Sequence, residues 1–248
     1  MGSEGRCDDA PSPEGGDWVC FLEQGGASEA AQAVREAIAA VGGAPRLTTL
    51  RVQFARLGRL VPQRALAPSE CSGGLEGVAS PAFFTADHVA RVALVLGAAE
   101  VLPAAEVPGA VTTLYRTGGE REQQSVLRAL PWLPSPERFV ELASEACRTN
   151  DVSVFSALCS DNPFPARHMP DGALFQMLMK AMFLGVSHER TWGLAERVTP
   201  ELQRMVGDYE NERRAAGRSV PDDISRIRRM ASPAAATTTT TLSEEPSR

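Results

Sequence analysis

Apolar residues recur at intervals of three and four along much of the chain, which places them on one face of an α-helix. The clearest stripe runs through Leu47, Leu50, Phe54, Leu57 and Val61. Ala and Leu dominate the apolar residues, whereas runs of the β-branched and aromatic residues that favour strands are nearly absent. The pattern therefore predicts an all-α protein.

Capping signals predict where several helices begin and end. Thr85 is expected to cap a helix that continues through Leu96. Three short motifs that combine a hydroxyl residue with a following acid predict further helix starts: Thr117–Glu120, which has the spacing of a capping box, Ser135–Glu137 and Thr199–Glu201. Gly217 is expected to end the last of these helices, because glycine readily adopts a left-handed conformation.

The stretch from Leu174 to Leu184 is apolar on nearly all sides, so it is predicted to run through the core. Short connectors that contain proline, together with amphipathic neighbouring segments, predict stacked antiparallel helical hairpins. These could form either an α-solenoid-like array or a compact bundle. The sequence shows no self-similarity at a fixed period, which counts against the solenoid.

Composition divides the chain into five segments. Residues 1–16 and 231–248 are rich in small residues, proline and acids or threonine, and both ends are predicted to be disordered. A stretch with several glycines and prolines, residues 67–84, is predicted to be a loop. It would join an N-terminal helical segment, residues 17–66, to a helical core, residues 85–230.

Charge and cysteine content argue against several classes of protein. The chain of 248 residues has a formal net charge of −6, which is not expected of a general nucleic-acid-binding protein. Its five cysteines are dispersed and form no CxxC pair, as is typical of reduced thiols in the cytoplasm. No secretory signal is evident, and no apolar run reaches the roughly 18 residues of a membrane span. We therefore expect a cytoplasmic protein.

The sequence contains none of the common catalytic or nucleotide-binding motifs, such as GxGxxG, the P-loop, GxSxG or HExxH. Its three histidines, His88, His168 and His188, lie far apart and have no partner at metal-ligand spacing. We therefore expect no metal, no cofactor and no catalytic residue, and the chain is not predicted to be an enzyme.

Four polar clusters exceed what a helical core requires, although each has a simple structural interpretation. Arg148 and Asn150 lie where one helix is expected to end and the next to begin, which favours a helix cap. Asn162 belongs to the rigid sequence Asn-Pro-Phe-Pro, which favours a helix stop. Asp208 and Arg213 lie on a predicted helix face, and exposure of that face to solvent would explain its polar residues.

Lys180 is the sharpest candidate, because a lysine in an apolar helix must reach solvent or meet a partner. The sequence supports snorkelling to solvent and contact within a buried pocket equally. A buried Lys180 would need an acid, a backbone carbonyl or an anionic ligand, and Asp208 is the preferred protein partner. Gln176 lies one turn earlier on the same helix face and would share the pocket.

A series of short motifs runs through these regions in a fixed order. They include Leu114-Tyr-Arg-Thr-Gly-Gly-Glu120, Leu127-Arg-Ala-Leu-Pro-Trp-Leu-Pro134, Cys147-Arg-Thr-Asn150, Asn162-Pro-Phe-Pro165, Gln176-Met-Leu-Met-Lys180 and Asp208-Tyr209. Over about residues 85–220, their order and spacing resemble those of the EboA family of metabolite-traffic proteins. The polar positions that match are Arg148, Asn150, Gln176, Lys180, Arg197, Asp208 and Arg213.

The resemblance implies a non-catalytic component of a bacterial gene cluster for a secondary metabolite. Its partners would resemble a metal-dependent hydrolase, a membrane prenyltransferase, a sugar-phosphate cyclase and a sugar isomerase. Any contact with the inner membrane would be made through such partners. Phe175, Ala195 and Asn211 stand where the family pattern has Asn, Asp and His, and the loss of an acid and a histidine counts against a shared catalytic site.

These observations lead to one functional hypothesis and two alternatives. We expect a non-catalytic helical protein that assists the transport or handling of a small secondary metabolite or its precursor. The first alternative is an enzyme with Lys180 or Asp208 as general base, and the second is a scaffold that binds only the enzymes of the cluster. The enzyme would need a lysine that gives up its proton, whereas a binding protein needs only the charge.

Overall fold

The computed structural model describes residues 15–43, 46–66 and 85–230. These residues form two compact units that are divided between Leu142 and Ala143. The described residues contain α-helices and 3₁₀ turns but no strand, so the all-α prediction is confirmed. An isolated bridge joins Ala65 to Thr85. The predicted loop at 67–84, the tail at 231–248 and most of the segment 1–16 lie outside the described residues; α1 begins at Gly15.

The first unit is built around one central helix. It contains α1 (Gly15–Gln24), α2 (Ser28–Val41), α3 (Arg46–Leu60), α4 (Ala86–Val101), α5 (Val107–Thr117) and α6 (Glu120–Ala129), followed by 3₁₀ turns at Leu130–Trp132 and Pro136–Phe139. α1, α2, α3 and α6 all pack against α4, and every residue from Ala86 to Ala98 is buried. α4 is therefore the core helix of this unit.

Close packing around α4 depends on a glycine. A Cβ atom at Gly97 would lie 2.3 Å from Cδ1 of Ile38 in α2, so the Ile38 side chain packs into the space that the missing side chain leaves. The apolar stripe predicted for α3 is confirmed at Leu50, Phe54 and Leu57, which are buried, and at Val61, which is buried just after the helix. It was wrong at Leu47, which is 43% exposed.

The second unit follows the boundary within α7 (Val140–Ala146). It contains α8 (Val152–Cys159), α9 (Phe164–His168), α10 (Asp171–Leu184), α11 (Pro200–Ala215) and α12 (Asp222–Arg229), with 3₁₀ turns at His188–Arg190 and Ala195–Arg197. α10 packs against α8, and α11 packs against α12. No helix in the described ranges combines the length and apolarity needed to cross a membrane.

α10 is not the all-round core helix that its composition predicts. Leu174, Phe175, Leu178 and Met182 are buried, but Phe183 is 72% exposed and Gln176 is exposed. The prediction was wrong because periodicity counts apolar residues without showing which of them meet a neighbouring helix. The helix that does run through a core is α4, which is buried from Ala86 to Ala98 although it contains polar residues.

Some of the predicted helix caps are confirmed and others are wrong. Thr199 caps α11 as predicted, since its Oγ1 accepts a hydrogen bond from the Leu202 N–H at 3.2 Å, and Gly217 follows that helix with a φ of +65°. The capping box at Thr117 was wrong, because Thr117 is still part of α5. Instead, the N–H of Gly119 donates to Oε2 of Glu122 at 2.9 Å. Ser135 has a left-handed φ of 53° and precedes a 3₁₀ turn, not an α-helix.

Candidate functional site

Lys180 holds the backbone at the end of α7. Its Nζ donates to the carbonyls of Cys147 at 2.7 Å and Thr149 at 2.6 Å. The last carbonyls of a helix lack partners within the helix, and a cation near them also interacts favourably with the helix dipole. Nζ lies 5.0 Å from the ring centroid of Phe155 as well. A backbone carbonyl was one of the partners expected for a buried Lys180.

The predicted pair between Lys180 and Asp208 was wrong. Asp208 is exposed, and its Oδ2 pairs with Nη1 of Arg204, one turn earlier on α11, at 3.0 Å. The error arose because Asp208 lies beside the inward stripe of α11 in sequence, although its own side chain faces solvent.

Arg197 and Arg213 also bind backbone carbonyls. Arg197 donates to the carbonyls of Ala166 and Met169, the latter at 2.9 Å, and pairs with the Asp171 carboxylate at 2.6 Å. It thereby links the end of α9 to the start of α10. Arg213 donates from Nε to the Ser219 carbonyl at 2.5 Å and from Nη1 to the Tyr209 hydroxyl at 3.1 Å.

Asn162 fixes the turn between α8 and α9. It is 3% exposed, its Nδ2 donates to the Ala157 carbonyl at 3.0 Å, and its Oδ1 accepts from the Phe164 N–H at 3.0 Å. These contacts agree with the helix-stop interpretation. Both hydrogen-bonding atoms of the amide are therefore engaged by the backbone.

The remaining candidates, Arg148, Asn150 and Gln176, are exposed. The helix cap predicted at Asn150 or Thr149 was wrong by one or two residues. The cap of α8 is Asp151, whose Oδ1 accepts from the N–H groups of Ser153 at 2.8 Å and Val154 at 3.1 Å. The candidate residues that have a hydrogen-bond or ion-pair partner thus contact different stretches of the backbone or, in the case of Asp208, a surface arginine. The structure does not gather the eight candidates into one polar site.

A buried ionic cluster in the first unit was missed by the sequence analysis. Asp87, at the start of α4, is fully buried. Its carboxylate accepts from Arg91 Nη1 at 2.8 Å and from Arg121 Nε and Nη2 at 3.0 and 2.7 Å. Burial opposes ionisation of this carboxyl, but the hydrogen bonds from Arg121, Thr85 and Arg91 outweigh it and lower its pKa to about 2.

His88 adjoins this cluster and is 4% exposed. Within the described part of the chain, neither ring nitrogen has a hydrogen-bond partner. Burial lowers the pKa of His88 to about 3, against the adjacent charge of Asp87. General acid–base catalysis near neutral pH needs a pKa near neutrality, so neither Asp87 nor His88 is poised for it.

The cluster also fixes the position of α3. A Cβ atom at Gly58 would lie 1.7 Å from Nη2 of Arg91, and the Arg91 guanidinium lies 5.9 Å from the ring centroid of Phe54. The four-residue spacing of Asp87 and Arg91 after Thr85 was a local signal for the pair. The contribution of Arg121, 34 residues later, had no such signal.

An open cleft of about 360 Å³ lies in the first unit between α3 and the corner where α5 gives way to α6. Its walls combine apolar, hydroxyl and charged groups, contributed by Thr48, Arg51, Val52, Phe54, Ala55, Arg59, Leu114, Thr117, Gly118 and Glu122. Arg51 and Arg59 have no hydrogen-bond or ion-pair partner among the described residues. The cleft therefore presents two cationic groups beside an apolar surface.

The thiols of the second unit are not activated. Burial raises the pKa of Cys147 to about 12 and that of Cys159 to about 11, so both stay protonated and are weak nucleophiles. In the part of the chain that the structure describes, no group of three or more His, Cys, Asp or Glu side chains could hold a metal ion.

Comparison with known proteins decides the family. The family model described as metabolite traffic protein EboA matches residues 28–228, most of the chain. The chain belongs to the EboA family. No curated protein and no solved structure matches.

The EboA match confirms the resemblance predicted from the short motifs. The resemblance also ran, more loosely, over Leu57–Pro62 at the end of α3, and the family match extends further towards the N-terminus to include α2 and the rest of α3. Among the polar positions that carried the resemblance, Lys180, Arg197 and Arg213 bind backbone carbonyls. In this EboA protein, those three residues stabilise the fold of the second unit.

Proposed function

We propose that this protein is a non-catalytic helical protein that binds a small metabolite or its precursor and assists its transport. The name of the family supports a role in metabolite traffic. The observation that carries the non-catalytic part is the use of Lys180, Arg197 and Arg213 to bind carbonyl groups of the backbone. Polar residues that the backbone already engages in this way favour a role in maintaining the shape of the protein over a role in catalysis.

The alternative of a general base at Lys180 or Asp208 fits the geometry poorly. A base must accept a proton from its substrate, whereas the Lys180 nitrogen donates two hydrogen bonds to carbonyl oxygens. Asp208 is on the exposed face of α11, where it pairs with Arg204.

We further propose that the metabolite is a secondary metabolite and that the protein acts in the cytoplasm beside the enzymes of its gene cluster. Those enzymes would include a membrane prenyltransferase, through which the protein would contact the inner membrane. A scaffold that binds only such partners is the second candidate. The observation that favours it is the phenyl ring of Phe183, which is 72% exposed in the second unit, since such a ring can anchor a protein interface.

Deletion of the gene tests the proposal in the producing cell. Metabolites in cells and in medium would be quantified by mass spectrometry, with and without a plasmid that restores the wild-type protein. A transport role predicts a several-fold shift of one compound between cells and medium, with its total amount largely retained. Accumulation of an unconverted intermediate, with the end product absent from both fractions, would instead show that a chemical step has been lost.

A further inference from the structure

The cleft between α3 and the α5–α6 corner has the features of a binding site for a small molecule. Its volume of about 360 Å³ lies at the lower end of the range of about 300–1,000 Å³ that is usual for ligand pockets. Val52 is 57% exposed and lines the cleft together with Leu114. An apolar surface that remains exposed inside a concave site is available to a ligand.

The charged residues of the cleft, together with its apolar surface, determine which ligands it can bind. Arg51 and Arg59 line it, and neither is neutralised by another described residue. The acid in the lining, Glu122, uses Oε2 to accept the Gly119 N–H at 2.9 Å. Because two arginines and one acid line the cleft, it keeps a net positive charge that an external anion can balance.

The spacing of the arginines indicates the shape of that anion. Arg51 and Arg59 lie eight residues apart on α3, so their Cα atoms are separated by about 12 Å along the helix axis. Val52 and Ala55 stand between them on the cleft wall. A ligand that contacts both arginines must be elongated, with an apolar or aromatic middle.

We propose that this cleft binds a soluble anionic amphiphile, which carries a carboxylate, sulfonate or phosphate group on an apolar or aromatic body. Arg51 and Arg59 bind the anionic groups, and Val52 and Leu114 contact the body. This inference rests on the proposed function, because it assigns the metabolite a chemical class and a place on the protein.

The test uses the full-length protein and the fluorescent aromatic sulfonate 8-anilinonaphthalene-1-sulfonate. The double variant Arg51→Gln/Arg59→Gln should bind the probe at least about tenfold more weakly than the wild type, since charge-assisted hydrogen bonds are lost. The matched control is Arg46→Gln/Arg56→Gln, which removes the same charge from exposed positions on α3 that do not line the cleft. It should bind within about twofold of wild type.

A further control concerns the exposed ring of the second unit, because the probe also binds apolar patches. Phe183→Ser should leave the arginine-dependent binding unchanged. The proposal is overturned if the Arg51/Arg59 variant binds the probe as the wild type does, or if both double variants weaken binding equally. It is also overturned if Arg51 and Arg59 are needed for co-sedimentation with phosphatidylglycerol vesicles but not for probe binding, because the anionic partner would then be a bilayer.

The cellular assay separates this inference from the proposed function. Failure of the Arg51/Arg59 variant to restore metabolite distribution, where the wild type and the Arg46/Arg56 control succeed, supports the cleft. Full restoration by the Arg51/Arg59 variant overturns the cleft and leaves the transport role intact. If deletion itself has no effect while the probe still requires Arg51 and Arg59, the transport role fails and the cleft stands.

Discussion

Two charged arrangements, one in each compact unit, differ in the groups that satisfy them. In the first unit, the carboxylate of Asp87 is fully buried and accepts hydrogen bonds from Arg91 and Arg121. In the second unit, Lys180 and Arg197 bind backbone carbonyls near the ends of short helices. The first arrangement depends on one ionised acid, whereas the second depends on cations that satisfy unpaired backbone groups.

This difference changes where a ligand is expected. The polar residues that most resemble a binding site in the sequence lie in the second unit, and several of them are already engaged by the protein itself. Arg51 and Arg59 in the first unit belong to an ordinary amphipathic helix, yet they have no partner among the described residues. What sets Arg51 and Arg59 apart from other exposed arginines is their place beside an apolar wall in a cleft.

Asp87 is expected to give the largest effect on stability. Asp87→Ala leaves the buried Arg91 and the half-buried Arg121 without their carboxylate, which should lower the free energy of unfolding by about 3–5 kcal/mol. Urea denaturation followed by circular dichroism measures the change. The control, Asp208→Ala, breaks only an exposed pair with Arg204 and should cost at most about 1 kcal/mol. Equal losses in the two variants would contradict the comparison.

Lys180 tests the second unit in the same way. Lys180→Met keeps the length and apolar packing of the side chain but leaves two carbonyls without a donor, so we expect a loss of about 2–3 kcal/mol in the same assay. Gln176→Met lies on the same helix at an exposed position and should change stability by no more than about 0.5 kcal/mol. A wild-type stability for Lys180→Met would show that its carbonyl contacts contribute little.

The burial of His88 predicts that the stability of the folded protein depends on pH. Its pKa is lowered from an ordinary 6.5 to about 3 in the folded protein, so below about pH 6.5 the unfolded chain binds a proton that the folded chain does not. Stability should therefore fall as the pH decreases, by about 2 kcal/mol between pH 7 and pH 5 for this one group. His88→Leu should remove that part of the slope.

A second buried histidine, in the second unit, should contribute to the same pH dependence of stability. His188 is buried there, and burial also lowers its pKa, so His188 contributes to the wild-type slope in the same direction. His88→Leu and His188→Leu should each flatten the pH dependence in part. A slope unchanged by His88→Leu would contradict the buried, neutral state of that imidazole.

The smallest expected effect concerns a helix cap. Thr199→Ala removes the hydrogen bond from the Leu202 N–H and should cost about 1 kcal/mol. Ser135→Ala is the control, since Ser135 precedes a 3₁₀ turn and does not cap α7; it should stay within about 0.5 kcal/mol of wild type. A larger loss of stability for Ser135→Ala than for Thr199→Ala would contradict the assignment of Thr199 as the cap of α11.

Local sequence patterns were enough to predict the helical class, the buried stripe of α3 and the cap at Thr199, because each depends on residues within a few turns of one another. The helix α4 was predicted from Thr85 to Leu96, but its central position and its burial on all sides were not. Asp87, His88 and Arg91 interrupt its apolar pattern, and their burial depends on Arg121 in a different helix. The register of the cap at Gly119 was missed because Thr117 continues α5.

The cleft could not be predicted either, because it depends on contacts between residues that lie far apart in the sequence. Its walls come from α3 on one side and from Leu114 to Glu122 on the other, so only tertiary packing brings the two arginines next to Leu114. Lys180 shows the opposite case. Its isolation in an apolar helix was a correct signal that a partner was needed, but periodicity could not distinguish a carbonyl from an acid or a ligand.

The central claim is that the metabolite binds through the cleft of the first unit and not through Lys180. The most direct measurement is capture from an extract of producing cells, in which folded wild type, Arg51→Gln/Arg59→Gln and Lys180→Met are each incubated and the bound small molecules are identified by mass spectrometry after release. We predict an anionic compound that wild type and Lys180→Met retain and that the double variant loses. Retention by the double variant with loss from Lys180→Met would contradict the account.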